Sequence, residues 1–120
     1  MKQIQPIVQQ MGREIGFNEV VLTDSSGFSL AAYTDGGSPE PSAAIAAMIQ
    51  RVAEQASGRV GLGTMDEVSM FDERGQRLVC RRFTVGERVL YLAVKVPPQM
   101  AYRRATSQAI RQIKAAWTIR

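Results

Sequence analysis

Three stretches of this chain have residue types that could do chemistry: the neighbouring carboxylates Asp66-Glu67 and Asp72-Glu73, the thiol of Cys80, and the glycine-rich run Gly58-Arg59-Val60-Gly61-Leu62-Gly63. Paired carboxylates can divide acid and base work when their surroundings separate their pKa values. A thiol becomes a nucleophile once a base or a positive environment makes it a thiolate, and a glycine-rich loop can cradle phosphate. None of the three is completed here. The chain has no histidine, so the commonest proton carrier near neutral pH, the partner in Ser/His and Cys/His pairs, and the commonest metal ligand are all missing. A single cysteine excludes an internal disulfide and a multi-cysteine metal site, and within a strand it reads as a small hydrophobe. The carboxylate pairs fall at a strand entry and in a turn, where sequence neighbours point apart or into water, so they read as solvated charges. A phosphate loop leaves a strand and opens a helix. The glycine run does the reverse, and no Gly-Lys-Ser/Thr follows it, so it reads as a helix stop and loop. No catalytic, cofactor-binding or metal-ligating residue is expected, nor enzymatic activity.

The elements around these residues are written in periodicity and punctuation. Ile4, Val8, Met11 and Ile15 form one apolar stripe, predicting a helix from about Ile4 to Ile15 that ends at Gly16, with Pro6 tolerated in its opening turn. Two β-rich runs then flank Asp24-Ser25-Ser26-Gly27, a hairpin whose glycine supplies positive φ. A Gly/Pro loop over residues 35–41 leads to a second helix, capped by Ser42 and ending near Gly58. In that helix Ile45, Ile49, Val52 and Ala56 are expected to face the sheet. Ser42, Ala46, Ala53 and Ser57 form a stripe of small residues beside them, either a close approach for another backbone or simply good helix formers. Three strands follow, Glu67 to Phe71, Gln76 to Thr84 and Arg88 to Val96. The last is apolar at both parities and should be central, whereas the first alternates and suits an edge. After Pro97-Pro98 a final helix from about Ala101 to Trp117 should bury Ala109, Ile110, Ile113 and Trp117 and leave Arg104, Gln108, Arg111 and Lys114 outward.

At 120 residues, 45% hydrophobic and 22% charged, the chain has the size and composition of one ordinary globular domain. No apolar run approaches the ~20 residues of a membrane span and the N-terminus lacks an apolar signal region, so neither membrane insertion nor secretion is expected and a cytoplasmic location is. The formal charge is +4, and all eleven acids lie at or before Glu87, leaving Arg88, Lys95, Arg103, Arg104, Arg111, Lys114 and Arg120 with no carboxylate among them. Such a block solvates a helix face or meets an acidic partner. Nucleic acid is not expected, because the aromatic residues are not interleaved with the arginines.

The phrase Val21-Leu22-Thr23-Asp24-Ser25-Ser26-Gly27-Phe28, the small-residue helix after it, Gly61-Leu62-Gly63-x-x-Asp66-Glu67-Val68 and Leu90-x-x-Ala93-Val94 occur in an order that resembles a roadblock/dynein-light-chain domain. The resemblance implies a single roadblock-like domain over residues 1–120. Its fold would be of α/β class, α-β-β-α-β-β-β-α, with a central five-stranded antiparallel sheet between the first and last helices on one side and the middle helix on the other, as in longin and profilin-like modules. It also implies homo- or heterodimers that join third strands and pair middle helices. Here that would employ Glu67, Val68, Ser69, Met70 and Phe71 together with Ala46 and Ala53. Prokaryotic members of the family are often partners or regulators of Ras-like small GTPases and share no catalytic arginine.

The leading expectation is therefore a non-catalytic homodimeric adaptor that binds or regulates a Ras-like small GTPase. Paired middle helices would present Ala43, Ala47, Gln50, Arg51 and Glu54 as a platform for that partner. A small-molecule sensor of profilin- or PAS-like type would instead need a roomy cavity with convergent polar groups. A binder of nucleic acid or anionic membrane would use the basic last helix.

Overall fold

The computed structural model describes residues 3–119, so Arg120 of the basic C-terminal block lies outside the described residues. In chain order the elements are α1 (Ile4–Gln10), which continues as a π-helical turn (Met11–Ile15), β1 (Glu19–Asp24), β2 (Ser29–Thr34), α2 (Glu40–Arg59), β3 (Glu67–Phe71), β4 (Arg77–Val85), β5 (Arg88–Val96) and α3 (Arg103–Ile119). The strands form one antiparallel sheet in the order β2-β1-β5-β4-β3. This is the expected α-β-β-α-β-β-β-α architecture, with β5 central and β3 at an edge.

The β1–β2 and β3–β4 hairpins are closed by the same device. Asp24 Oδ1 accepts hydrogen bonds from the backbone N–H of Ser26 and Phe28, and Gly27 N–H returns to the Asp24 carbonyl. Asp72 does the same for Arg74 and Gln76, with Gly75 returning to the Asp72 carbonyl. The aspartate holds the turn while the glycine takes the positive φ that follows it, 94° at Gly27 and 88° at Gly75.

The sheet buries both faces. Alternation puts Leu90, Leu92, Val94 and Val96 of β5 on the side of α1 and α3, in a core with Ile4, Val8, Phe17, Leu22, Val79 and Ile113. The opposite face is thin. There Ala46 of α2 meets Cys80 and Ala93, with Ile49 and Leu78 packed alongside.

Four local expectations are corrected. The π turn adds a residue per turn, so the α1 stripe loses register and Ile15 is exposed. The second helix begins at Glu40 rather than after Ser42: Pro39 is its N-cap and has no side-chain cap to offer, Ser38 Oγ accepts from the Glu40 N–H at 3.4 Å, and Pro41 sits in the first turn where its missing N–H costs nothing. It stops at Gly61 and not Gly58, because Gly61 takes φ 79° and lets Leu62 N–H reach back to the Ser57 carbonyl at 2.8 Å. The fourth strand is Arg77–Val85, one residue later than expected.

The largest correction concerns the faces of α2. Ala43, Ala46, Ala47, Gln50 and Ser57 are the buried residues, while Ile45, Met48 and Val52 are 36%, 49% and 59% exposed and Ala56 is exposed. Small residues on the helix meet the small residues Cys80 and Ala93 on the sheet, so α2 rides close to the strands and its larger side chains are turned outward.

Candidate interaction surface

An antiparallel sheet with five strands has two edges, and each leaves a row of backbone donors and acceptors to be dealt with. The β2 edge is covered at Ala32. Gln5 of α1 places its side-chain amide on Ala32, donating through Nε2 to the Ala32 carbonyl at 2.8 Å and accepting from the Ala32 N–H at 3.1 Å. A register shift between Leu22 and Thr23 adds an irregularity to the β1–β2 pair. The β3 edge is open. Its pairing with β4 is regular from Glu67 to Phe71, and among the described residues no side chain bonds to its outer backbone row.

The two faces of β3 differ. On the α2 side, Met70 is paired with Leu78, which packs against the same Ala46–Cys80–Ala93 cluster as Ile49 of α2. Apolar surface therefore continues from the strand (Met70 43% exposed) to the outer face of α2. An open groove of about 420 Å³ lies under the first turn of α2, between Ser42 and the strand residues Met70, Leu78 and Lys95. Phe71, at the end of the strand, is 69% exposed and shares the guanidinium of Arg77 with Tyr102, the ring centroids lying 5.7 and 5.4 Å away.

On the α3 side β3 is latched by charge. Arg103 donates through one nitrogen to Glu67 Oε1 at 2.6 Å and through the other to Asp66 Oδ2 at 2.8 Å. Glu67 Oε2 also accepts from Ser69 Oγ at 2.9 Å and from the Tyr102 hydroxyl. Partial burial disfavours the Glu67 charge, but hydrogen bonds from Tyr102, Ser69 and Arg103 outweigh it, and the carboxyl is held below its ordinary value. The hydrogen bond to Glu67 in turn raises the Tyr102 phenol. Buried Arg81 donates to Thr106 Oγ1 at 2.9 Å and Ser107 Oγ at 2.7 Å, tying β4 to the same end of α3. Asp66 and Glu67 are thus corrected from solvated turn charges to members of an ion-pair cluster. One arginine fork spans both because Asp66 precedes the strand and escapes its alternation.

The expected site residues separate accordingly. Glu67 and Ser69 belong to the latch, Val68 is half-buried, and Met70 and Phe71 are exposed on the open edge. Ala46 is fully buried against its own strands and Ala53 is half-buried. The platform is also corrected. Ala43, Ala47 and Gln50 are buried, and Gln50 Nε2 donates to the Cys80 carbonyl at 3.1 Å, whereas Arg51 and Glu54 are exposed, Glu54 pairing with Arg82 at 3.4 Å. The outward residues Ile45, Met48 and Val52 were missed. Their signal was the match of small residues on α2 to Cys80 and Ala93 on the strands.

Little else at this surface has chemical potential. Burial pushes the Cys80 thiol up to about 12, far from a thiolate at neutral pH. Among the described residues no group of three or more histidines, cysteines or carboxylates could hold a metal, and no helix is long and apolar enough to cross a membrane. A crevice between α1 and α3 holds about 80 Å³, well below the several hundred of a ligand pocket.

No family model matches the sequence, and no curated protein does. Solved structures do match. MglB of Myxococcus xanthus superposes with a TM-score of 0.81 at 13% identity, covering 98% of this chain and 89% of that one. The gliding protein MglB of Thermus thermophilus gives 0.76 at 19% identity, over 95% and 87%. A roadblock/LC7 domain from Streptomyces avermitilis gives 0.77 at 17%, over 96% and 95%. At these identities it is the fold that is shared, and it is that of a roadblock-like domain.

Proposed function

We propose that this chain is a non-catalytic homodimeric adaptor that binds or regulates a Ras-like small GTPase. The observation that carries the reading is the asymmetry of the sheet: one edge is covered at Ala32 by Gln5, while the other is regular, unbonded among the described residues and continuous with the exposed apolar side chains of α2. Pairing β3 with β3 of a second copy satisfies both backbone rows at once and is self-complementary, as a twofold dimer requires. It would join the two sheets and lay the α2 helices side by side, with Ile45, Ile49, Val52, Val68 and Met70 turned toward the partner copy. Met48 and Arg51 would then form the outer surface of the helix pair, replacing the platform of Ala43, Ala47 and Gln50. The GTPase enters through the roadblock resemblance, since prokaryotic members of that family are often partners or regulators of Ras-like small GTPases, and the fold is that of a roadblock-like domain.

The test is capture from the extract of the protein's own cell, with native chain and with Met48→Glu/Arg51→Glu, in GDP and in a non-hydrolysable GTP analogue. A small GTPase retained by the native chain and lost with the variant is expected. Retention of no GTPase in either nucleotide state contradicts the proposal.

A further inference from the structure

The charge of this domain is divided between the two faces of its sheet. On α2 the charges balance: Glu40 and Glu54 against Arg51 and Arg59. On α3 they do not. Within Arg103–Ile119 there are four cations and no carboxylate. Arg103 is engaged by Asp66 and Glu67, but Arg104, Arg111 and Lys114 are exposed and form no ion pair with any described residue. Helical spacing sets these three on the side opposite Thr106, Ala109 and Ile113, which are buried against the sheet. Arg88, exposed at the other end of the helix, lies 5.1 Å over the Trp117 ring.

We infer that this stripe is a docking surface for an anionic lipid bilayer. Three features select a bilayer over other anions. The positions between the cations are small or polar, Gln108, Gln112 and Ala115, so the helix can lie flat and present charge without an apolar anchor. The neighbouring α1–α3 crevice of about 80 Å³ is too small to hold an acidic peptide. No aromatic ring stands exposed on the stripe to stack a base, because Trp117 is half-buried beneath Arg88. A fluid layer of anionic headgroups demands charge and no complementary shape.

The inference extends the dimer reading above and gains from it. Since α3 lies on the sheet face opposite α2, two copies joined at β3 would bring both basic stripes to the same side, leaving both α2 helices on the other. An adaptor of that form holds its GTPase away from the bilayer while resting on it.

The experiment is co-sedimentation of the full chain with phosphatidylcholine vesicles with and without phosphatidylserine. Binding to the anionic vesicles at about 0.1 M salt, release at about 0.5 M, and no binding to pure phosphatidylcholine are expected. Each cation near such a surface contributes roughly fivefold, so Arg104→Gln/Arg111→Gln/Lys114→Gln should weaken binding about 100-fold and Arg104→Gln alone about fivefold. Both variants should retain the native mass and circular dichroism. If the native chain ignores anionic vesicles, if the triple variant binds as well as native, or if a DNA or RNA duplex is bound while vesicles are not, the inference is wrong. A chain that is monomeric by light scattering yet binds anionic vesicles through these residues would sink the dimer reading and leave this one standing.

Discussion

Replacing residues on the two faces of α2 separates folding from association. Val52 is 59% exposed. If the second copy or the helix pair covers what remains, that fraction of the ~1.5–3 kcal/mol for burying such a side chain is about 1–2 kcal/mol per protomer. Two symmetric copies give about 2–4 kcal/mol, a roughly 30- to 1,000-fold rise in the dimer Kd for Val52→Gln. The folded protomer loses little, because most of that side chain contacts nothing of its own. Ala46 is the opposite case, fully buried between Cys80 and Ala93. Ala46→Glu forces a carboxylate into a layer built for a methyl group and should cost at least ~3 kcal/mol of folding stability, a large share of a typical domain's total. Sedimentation velocity reads the first effect and urea unfolding at fixed protein concentration the second. A Val52→Gln chain that associates like native, beside an Ala46→Glu chain that folds normally but is monomeric, would refute the face assignment and restore the one expected from side-chain size.

Gly12 should be irreplaceable while Tyr33 is present: a Cβ there would collide with the Tyr33 ring, so Gly12→Ala should lose about 1–2 kcal/mol by urea unfolding despite its better helix propensity, and should become neutral or stabilising in a Tyr33→Ala background. Because the folded Glu67 carboxyl is held below its ordinary value near 4.5, its contribution is complete above that value and lost as pH falls through the folded-state value; stability measured from neutral to acid pH should drop less steeply in Glu67→Gln than in native protein, and parallel curves would remove the latch. Gln5→Ala should uncover the β2 edge, lowering stability by about 1–3 kcal/mol and raising light scattering on storage, whereas unchanged values would show that the Ala32 pairing is dispensable.

Topology was legible because each of these two hairpins carries its own turn signal, Asp24 to Gly27 and Asp72 to Gly75, and because β5 is apolar at both parities. The faces of α2 were not legible for a physical reason. Both its stripes are apolar, and side-chain size favours Ile45 and Val52 as the buried set. The true criterion is complementarity with Cys80 and Ala93, which sit more than 30 residues away in sequence and become neighbours only once the sheet forms. The covering of β2 at Ala32 by Gln5 was equally hidden, since a glutamine in a first turn is ordinary until the strand it reaches is in place. The open edge at β3 showed in its alternation, but the hold of Arg103 on Asp66 and Glu67 spans 37 and 36 residues and has no local trace.

The central claim is that the uncapped β3 edge joins two copies of this chain. Multi-angle light scattering on the native protein at micromolar concentration tests it directly. Twice the chain mass of 13.2 kDa is expected, falling to 13.2 kDa when Met70→Lys places a charge on the strand's exposed apolar side. A native chain that elutes at 13.2 kDa, or a Met70→Lys chain that keeps the doubled mass, would contradict the account.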